Sequence, residues 1–220
     1  MDIEKARFNM IEQQIRPWDV LAPDILESLA LVRREDFVPE VYRDLAFADV
    51  EIPLVIGGQR TGECMFTPKL EARLLQSLEV HRHESALEIG SGSGYGTALL
   101  AQRTRKIQSW EIDPVIADFA AANLRRAGIT DVRLNVGDAS RLGSEQPYDV
   151  IILSGSVAQV PESLLGRLNE GGRLIAIVGE APTMHGRLYT RIGKRCTASD
   201  LFETVAPRLQ GFPSGPRFKF

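Results

Sequence analysis

Cysteine is scarce: the 220 residues hold two, Cys64 and Cys196, too far apart to form a metal-ligand spacing or a disulfide framework. A reducing cytoplasm is the expected compartment. Histidine is scarce too. His81 and His83 flank Arg82 with no third ligand in view, so they read as a solvated linker, and no metal is expected. His185 falls in a loop beside Pro182 and Gly186. Long apolar runs are missing. The longest, Val150 to Leu153 and Leu174 to Val178, are far short of the roughly 20 residues that cross a bilayer, so no membrane partner is expected. The N-terminus has mixed charge and no basic-then-apolar pattern, so no signal peptide is visible. Charge of one sign is missing as well. With 26 Lys+Arg against 29 Asp+Glu, a ligand that needs a broad basic surface is excluded, and no nucleic-acid partner is expected. No repeat or low-complexity tract stands out.

The chain has 44% hydrophobic residues over a length that buries a substantial core without cross-links. One domain over 1–220 is expected: a helical extension over 1–80 and an α/β core over 81–220. In the extension, Phe8, Ile11 and Ile15 form a helix stripe that ends near Pro17. A second helix starts at Pro23 and runs through Leu26, Leu29 and Ala30. Gly57, Gly58 and Gly62 read as a flexible loop, and Pro68 opens a helix carrying Leu70, Leu74, Leu75 and Leu78. From residue 84, strands at 86–89, 107–112, 132–136, 150–153 and 173–178 alternate with helices at 97–102, 116–127 and 161–168. That alternation implies a doubly wound, mostly parallel Rossmann-like sheet. Strands at 187–192 and 201–205, joined by a polar connection over 193–200, suggest an antiparallel C-terminal edge. In the tail, Phe218 and Phe220 are expected to pack on the domain, and Trp18 and Trp110 read as core or interface residues.

The most informative stretch is Leu87-Glu88-Ile89-Gly90-Ser91-Gly92-Ser93-Gly94-Tyr95-Gly96, between a strand and a helix. A dinucleotide fingerprint needs G-x-G-x-x-G, and Tyr95 and Thr97 occupy the third-glycine positions in the two possible registers. Glu88 beside the loop repels a pyrophosphate and suits a cationic ligand. S-adenosylmethionine, with a sulfonium, an ammonium and no phosphate, meets that requirement. Glu111 closes the next strand, where an acid can accept from both ribose hydroxyls, with Ile112 beside it. Asp138 and Ala139 follow the third strand, where an acid can meet an adenine amino group. Glu88, Gly90, Ser91, Gly92, Gly94, Glu111, Ile112, Asp138 and Ala139 are therefore the candidate cofactor residues.

These motifs resemble the class I S-adenosylmethionine-dependent methyltransferases and, more narrowly, the protein-L-isoaspartate (D-aspartate) O-methyltransferase family. The resemblance covers nearly the whole chain. Besides the glycine loop it rests on Met10-Ile11-Glu12-Gln13-Gln14-Ile15, Val32-Arg33-Arg34-Glu35-Asp36-Phe37-Val38-Pro39, Ala46-Phe47-Ala48-Asp49, Tyr148-Asp149-Val150-Ile151-Ile152 and Leu168-Asn169-Glu170-Gly171-Gly172-Arg173-Leu174. It implies methyl transfer to the carboxylate of isoaspartyl residues in damaged proteins, with S-adenosylhomocysteine as product. Such a carboxylate is already ionised at pH 7, so the mechanism needs no His or Cys catalytic pair.

The chain departs from the family where the family carries G-Q-T-I-S-x-P. Its own stretch is Gly58-Gln59-Arg60-Thr61-Gly62-Glu63-Cys64-Met65-Phe66-Thr67-Pro68. Aligned on Pro68, Phe66 takes the place of a serine that lies near the substrate carboxylate, and Phe66 donates no hydrogen bond. Thr67 and Thr61 are the candidate hydroxyls, and Asp49 is carried over as a family acid near the entrance. Ser154-Gly155-Ser156 stands where the family has a Thr-Ala-Ala-like turn. Cys64 reads as a packed thiol unless a nearby cation lowers its pKa. Three functions stay open: an isoaspartyl carboxyl methyltransferase, a methyltransferase with another protein or small-molecule acceptor, and a cofactor-binding module without catalysis. The sequence is silent on oligomeric state.

Overall fold

Asp2 starts the first helix by accepting a hydrogen bond from the Lys5 amide, and α1 (Ile3–Met10) follows. The computed structural model describes residues 2–142 and 146–213. One π turn (Ile11–Ile15) and one 3-10 turn (Arg16–Trp18) continue α1. Arg7, Met10, Ile11 and Ile15 are buried, whereas Phe8, expected on the same stripe, is 63% exposed. The buried face runs through positions 3, 7, 10 and 11, and residue 8 lies one step, about 100°, off it. Pro23 opens α2 (Pro23–Leu31), which buries Ile25, Leu26 and Leu29.

The glycine-rich stretch expected as a flexible loop is a β-hairpin. β1 (Ile52–Ile56) pairs antiparallel with β2 (Gln59–Met65), so Thr61 and Cys64 are strand residues. Gly57 and Gly58 form the two-residue turn with φ of 58° and 80°. Positive φ at both central residues marks a type I′ turn, whose twist matches that of the strands. Thr67 then caps α3 (Pro68–Leu78), its side chain accepting from the Leu70 amide at 3.4 Å. The leucines of the stripe, 70, 74, 75 and 78, are all buried, together with Glu71.

The rest alternates strands and helices as expected: β3 (Ser85–Ile89), α4 (Tyr95–Ala101), β4 (Lys106–Glu111), α5 (Pro114–Arg126), β5 (Val132–Val136), β6 (Tyr148–Val157), α6 (Glu162–Leu165), β7 (Leu168–Glu180), β8 (Thr183–Ile192) and β9 (Arg195–Thr204). The seven-stranded sheet has the order β5-β4-β3-β6-β7-β8-β9. Pairs from β5 through β7 are parallel, and β7-β8 and β8-β9 are antiparallel. This is a Rossmann-like fold with an antiparallel edge and a helical N-terminal extension. The strand order reverses between β3 and β6, and such a switch point opens a crevice at the strands' carboxyl ends.

Three expectations need correction. The helix over 161–168 is only α6, because Leu168 already pairs with Tyr148 as the first residue of β7. The polar connection over 193–200 is mostly strand: the chain turns at Gly193 and Lys194, and β9 begins at Arg195. An edge strand with one solvated side needs no continuous apolar run, so polar residues 195–200 hid it. His185 belongs to β8, with Glu203 opposite. Phe218 and Phe220 lie outside the described residues, while Phe212 is buried. Trp18 is 47% exposed beneath the Lys69 ammonium, 4.1 Å from its ring centroid.

Alternate residues of the central strands feed two cores. Ala86, Val150, Ile152 and Ile175 join the extension's Met10, Phe37, Leu54 and Phe66 on one face. Leu87, Ile151, Leu153 and Leu174 pack with Leu164 and Phe212 on the other. Arg34, fully buried, ties the extension together by donating to the carbonyls of Ala46 and Phe66. Asn123 on α5 donates to the carbonyls of Phe37 and Ser93, joining the extension to the glycine loop. No helix among the described residues is long and apolar enough to cross a membrane.

Candidate functional site

The glycine loop turns off the end of β3 at Gly90, whose N–H donates to the Trp110 carbonyl at 2.8 Å. Its φ is 94°, and a Cβ there would sit 2.9 Å from Leu209 Cδ1 and 3.3 Å from the Ser154 carbonyl, so only glycine fits. Gly92 faces open space, and its N–H donates to Glu111 Oε2 at 3.0 Å. Glu111 also accepts from the amides of Ile112 at 2.9 Å and Asp113 at 3.2 Å. Burial raises its pKa against the pull of these three N–H groups.

Loop and strand ends enclose an open cleft of two joined lobes. The outer lobe, about 520 Å³, is lined by Trp110, Glu111, Ile112, Ile116, Gly137 and Ala139, among others. The inner lobe, about 340 Å³, is lined by Phe66, Glu71, Glu88, Ser91, Ser93 and Tyr95, among others. Cys64, Gly90, Gly92 and Ser154 border both. Four carboxyls reach the two lobes, those of Glu63, Glu71, Glu88 and Glu111, and among the described residues no Lys, Arg or His does.

Glu88 is 1% exposed and accepts hydrogen bonds from Thr97, from Ser109 at 2.6 Å and from Ser154 at 3.3 Å. Desolvation pushes its carboxyl up to about 8, against the pull of Ser109 and Thr97, and nearby Glu71 adds to the rise. Burial pushes Glu71 up to about 7, with Arg34 opposing. The Tyr95 hydroxyl is buried with no hydrogen-bond partner among the described residues. Burial pushes the Cys64 thiol up to about 12, and its charged neighbours Glu51 and Glu63 add to the rise. Cys64 is thus an inert thiol, without the cation that would have activated it.

Of the candidate cofactor residues, Gly90, Gly92, Glu111, Ile112 and Ala139 line the outer lobe, and Glu88 and Ser91 line the inner one. Gly94 lies behind the loop, where a Cβ would sit 3.2 Å from the Ala120 carbonyl of α5. Asp138 faces its own turn. It accepts from the Ser140 amide and hydroxyl and pairs with Arg141, and the Ser140 hydroxyl is the main cause of its lowered pKa. The Thr61 hydroxyl donates to the Leu54 carbonyl and accepts from the Glu63 amide, inside the hairpin. Thr67 faces a separate hollow between Trp18 and Phe202. Asp49 pairs with Lys69 at 2.5 Å. Phe66, by contrast, lines the inner lobe.

Sequence reasoning missed Glu71, Ser154 and Leu209 as lining residues, and Trp110, read as core or interface, both packs on the second core and lines the outer lobe. Glu71 did carry a signal, since it stands at i, i+3, i+4, i+7 with Leu74, Leu75 and Leu78, a charge on an apolar stripe. Leu209 returns from the far end of the chain and carried none.

A lobe with Trp110, Ile112 and Ile116 on its wall and an acid placed for a diol, joined to a second lobe with two further carboxyls, fits one kind of ligand. It is a nucleoside whose sugar continues into a cationic amino-acid end, as in S-adenosylmethionine.

The model of the protein-L-isoaspartate(D-aspartate) O-methyltransferase family matches residues 5–204. A protein-L-isoaspartate O-methyltransferase of Methanoculleus marisnigri is 37% identical over 176 residues, 80% of this chain and 78% of that protein. One of Opitutus terrae is 37% identical over 209 residues, 93% of this chain and 86% of that protein. A solved protein-L-isoaspartate O-methyltransferase overlays with a TM-score of 0.79 at 23% identity, covering 94% of this chain and 65% of that one. A Plasmodium falciparum structure described as the same enzyme type, in complex with S-adenosyl-L-homocysteine, overlays with a TM-score of 0.77 at 19% identity, over 96% and 99%. At these identities the two overlays bear on the fold alone.

Proposed function

The chain belongs to the protein-L-isoaspartate (D-aspartate) O-methyltransferase family, and on that premise we propose that it methylates the free carboxylate of L-isoaspartyl residues in damaged proteins. The methyl donor is S-adenosyl-L-methionine and the products are the methyl ester and S-adenosyl-L-homocysteine. The observation that carries this reading is the match over residues 5–204, which takes in the helical extension as well as the cofactor core.

When bound, S-adenosylmethionine supplies a methyl group on a positively charged sulfur, already activated for displacement. Glu111 is placed to accept from the ribose hydroxyls, and Trp110, Ile112 and Ile116 form apolar walls for the base. Glu88 supplies an acceptor in the inner lobe. The chain need not supply a general base, because a carboxylate acceptor with a pKa near 4 is ionised at neutral pH. Its task is to align the nucleophile and keep water out. We place the acceptor on the side built by the extension, where Cys64, Met65 and Phe66 border the cleft. Thr61, Thr67 and Asp49 shape that side through the hairpin, the α3 cap and the Lys69 pair. We place that repair in a reducing cytoplasm, in keeping with a chain that holds only two cysteines.

A second reading keeps the donor and changes the acceptor. It is favoured by Phe66 in the inner lobe, a side chain that offers an anionic acceptor no hydrogen-bond donor. The test is transfer of labelled methyl to a synthetic isoaspartyl peptide and to its aspartyl isomer. Base-labile label on the isoaspartyl peptide alone is expected. No transfer to it, with S-adenosylhomocysteine binding intact, removes the first reading. Transfer to uncharged or cationic acceptors would then establish the second.

A further inference from the structure

We propose that Glu71 is a ligand-binding residue, and that with Glu88 it holds the α-ammonium of the cofactor's amino-acid end between two carboxyls. This rests on the cofactor reading above and is independent of the acceptor.

The geometry starts at Gly96, on the first turn of α4. The point where a Cβ of Gly96 would sit is 2.6 Å from Glu71 Oε1 and 2.8 Å from Glu88 Oε1. Two carboxyls from different elements, α3 and β3, therefore lie side by side against Gly96. Both line the inner lobe. They differ in how they are satisfied. Glu88 already accepts from three hydroxyls, whereas Glu71, 7% exposed, makes no hydrogen bond among the described residues. A carboxyl that is little exposed, lines the lobe and has no donor is free to take one from a ligand. The buried, unpartnered hydroxyl of Tyr95 borders the same lobe. An ammonium group brings three N–H donors and a positive charge.

The surrounding charges fit this assignment. Arg34 faces Glu71 from the 34–36 turn, and Glu88 and Tyr95 face it from β3 and α4. Asp49 acts on Arg34 from the other side and is itself paired with Lys69 of α3, while Glu35 and Arg7 act on Tyr95. Arg34 does not line the lobe; it donates to the Ala46 and Phe66 carbonyls. Without ligand, burial keeps both carboxyls partly protonated near neutral pH, and nearby Glu71 adds to the rise at Glu88. A cation entering between them favours the ionised forms, so a proton leaves to solvent as the ligand binds.

The test is calorimetric titration of the unmodified protein and of Glu71→Gln at pH 7, in two buffers of different ionisation enthalpy. The ligands are S-adenosylhomocysteine, which has the ammonium but no sulfonium charge, and 5′-methylthioadenosine, which lacks the amino-acid end. The unmodified protein should release between half a proton and one proton, roughly, on binding S-adenosylhomocysteine. Glu71→Gln should weaken that ligand about tenfold and reduce the proton release, since a lost charged hydrogen bond is of that size. Methylthioadenosine affinity should stay the same, which also shows that the variant is folded. Unchanged S-adenosylhomocysteine affinity and proton count in Glu71→Gln would overturn the assignment. So would an equal loss for both ligands. If the unmodified protein binds neither ligand, the cofactor reading falls and the assignment with it.

Discussion

Glu111 shows how one side chain serves both fold and ligand. Its carboxylate receives the amides of Gly92, Ile112 and Asp113, so it fixes the shape of the loop that borders the cleft, and it still faces the outer lobe. Glu111→Ala is expected to weaken S-adenosylhomocysteine by tenfold or more, on the scale of charged hydrogen bonds. It should weaken 5′-methylthioadenosine as well, because both ligands carry the ribose hydroxyls. That pattern separates it from Glu71→Gln, and parallel titrations of the two ligands check it. Glu88 and Glu111 were legible in the sequence because each ends an apolar strand beside a glycine loop. Asp138 looked equivalent, but a short turn gave its carboxylate nearer partners in Ser140 and Arg141. Spacing alone carries no information about which donor an acid meets first.

At the scale of elements, the β1–β2 hairpin is the piece that shapes the acceptor side. It carries Glu63, Cys64 and Met65 to the cleft and leads into Phe66. Its turn needs positive φ at Gly57 and Gly58, where an L side chain costs about 1–2 kcal/mol. Gly58→Ala should therefore lower the unfolding temperature by roughly 2–8 °C. A Cβ there meets nothing within 4 Å, so S-adenosylhomocysteine binding should be unchanged. Thermal unfolding with and without ligand measures both, and an unchanged unfolding temperature would contradict the left-handed turn. In sequence the hairpin resembled a loop because its strands alternate poorly: Gln59 to Cys64 holds polar residues and a glycine on what become exposed or half-buried positions. β9 was obscured in the same way at the sheet edge.

Across the whole molecule, burial of Glu71 and Glu88 sets how stability responds to pH. Their carboxyls sit at about 7 and about 8, against an ordinary value of 4.5. Between pH 5 and 8 the folded protein thus holds protons that the unfolded chain has lost, and stability falls as pH rises. The slope is at most about 1.4 kcal/mol per pH unit for each proton held. Glu84 acts in the opposite direction. Desolvation works against it, but the Arg173 guanidinium and the His81 amide hold its pKa below the ordinary range. Its contribution is present above its unfolded pKa and is lost as pH falls through the lower, folded one. Denaturant unfolding of the ligand-free protein should therefore show a maximum near pH 5 and a decline toward pH 8. Glu71→Gln should flatten that decline, and a level profile in the unmodified protein would refute the buried protons.

The sequence by itself determined the alternation of strands and helices through the core, the parallel centre of the sheet, the glycine loop and the acids that end β3 and β4. Those features depend on periodicity and on backbone conformations that few residues adopt, and both are local. Only the tertiary structure decided which groups meet. It brought Glu71 of α3 to Glu88 of β3 over Gly96, Leu209 to Gly90, and Phe66 to the inner lobe. It also turned Thr67 and Gly94 away from the cleft. These contacts join residues up to more than 100 positions apart. Their energies depend on burial and on the charges that surround them, which no stretch of neighbouring sequence records.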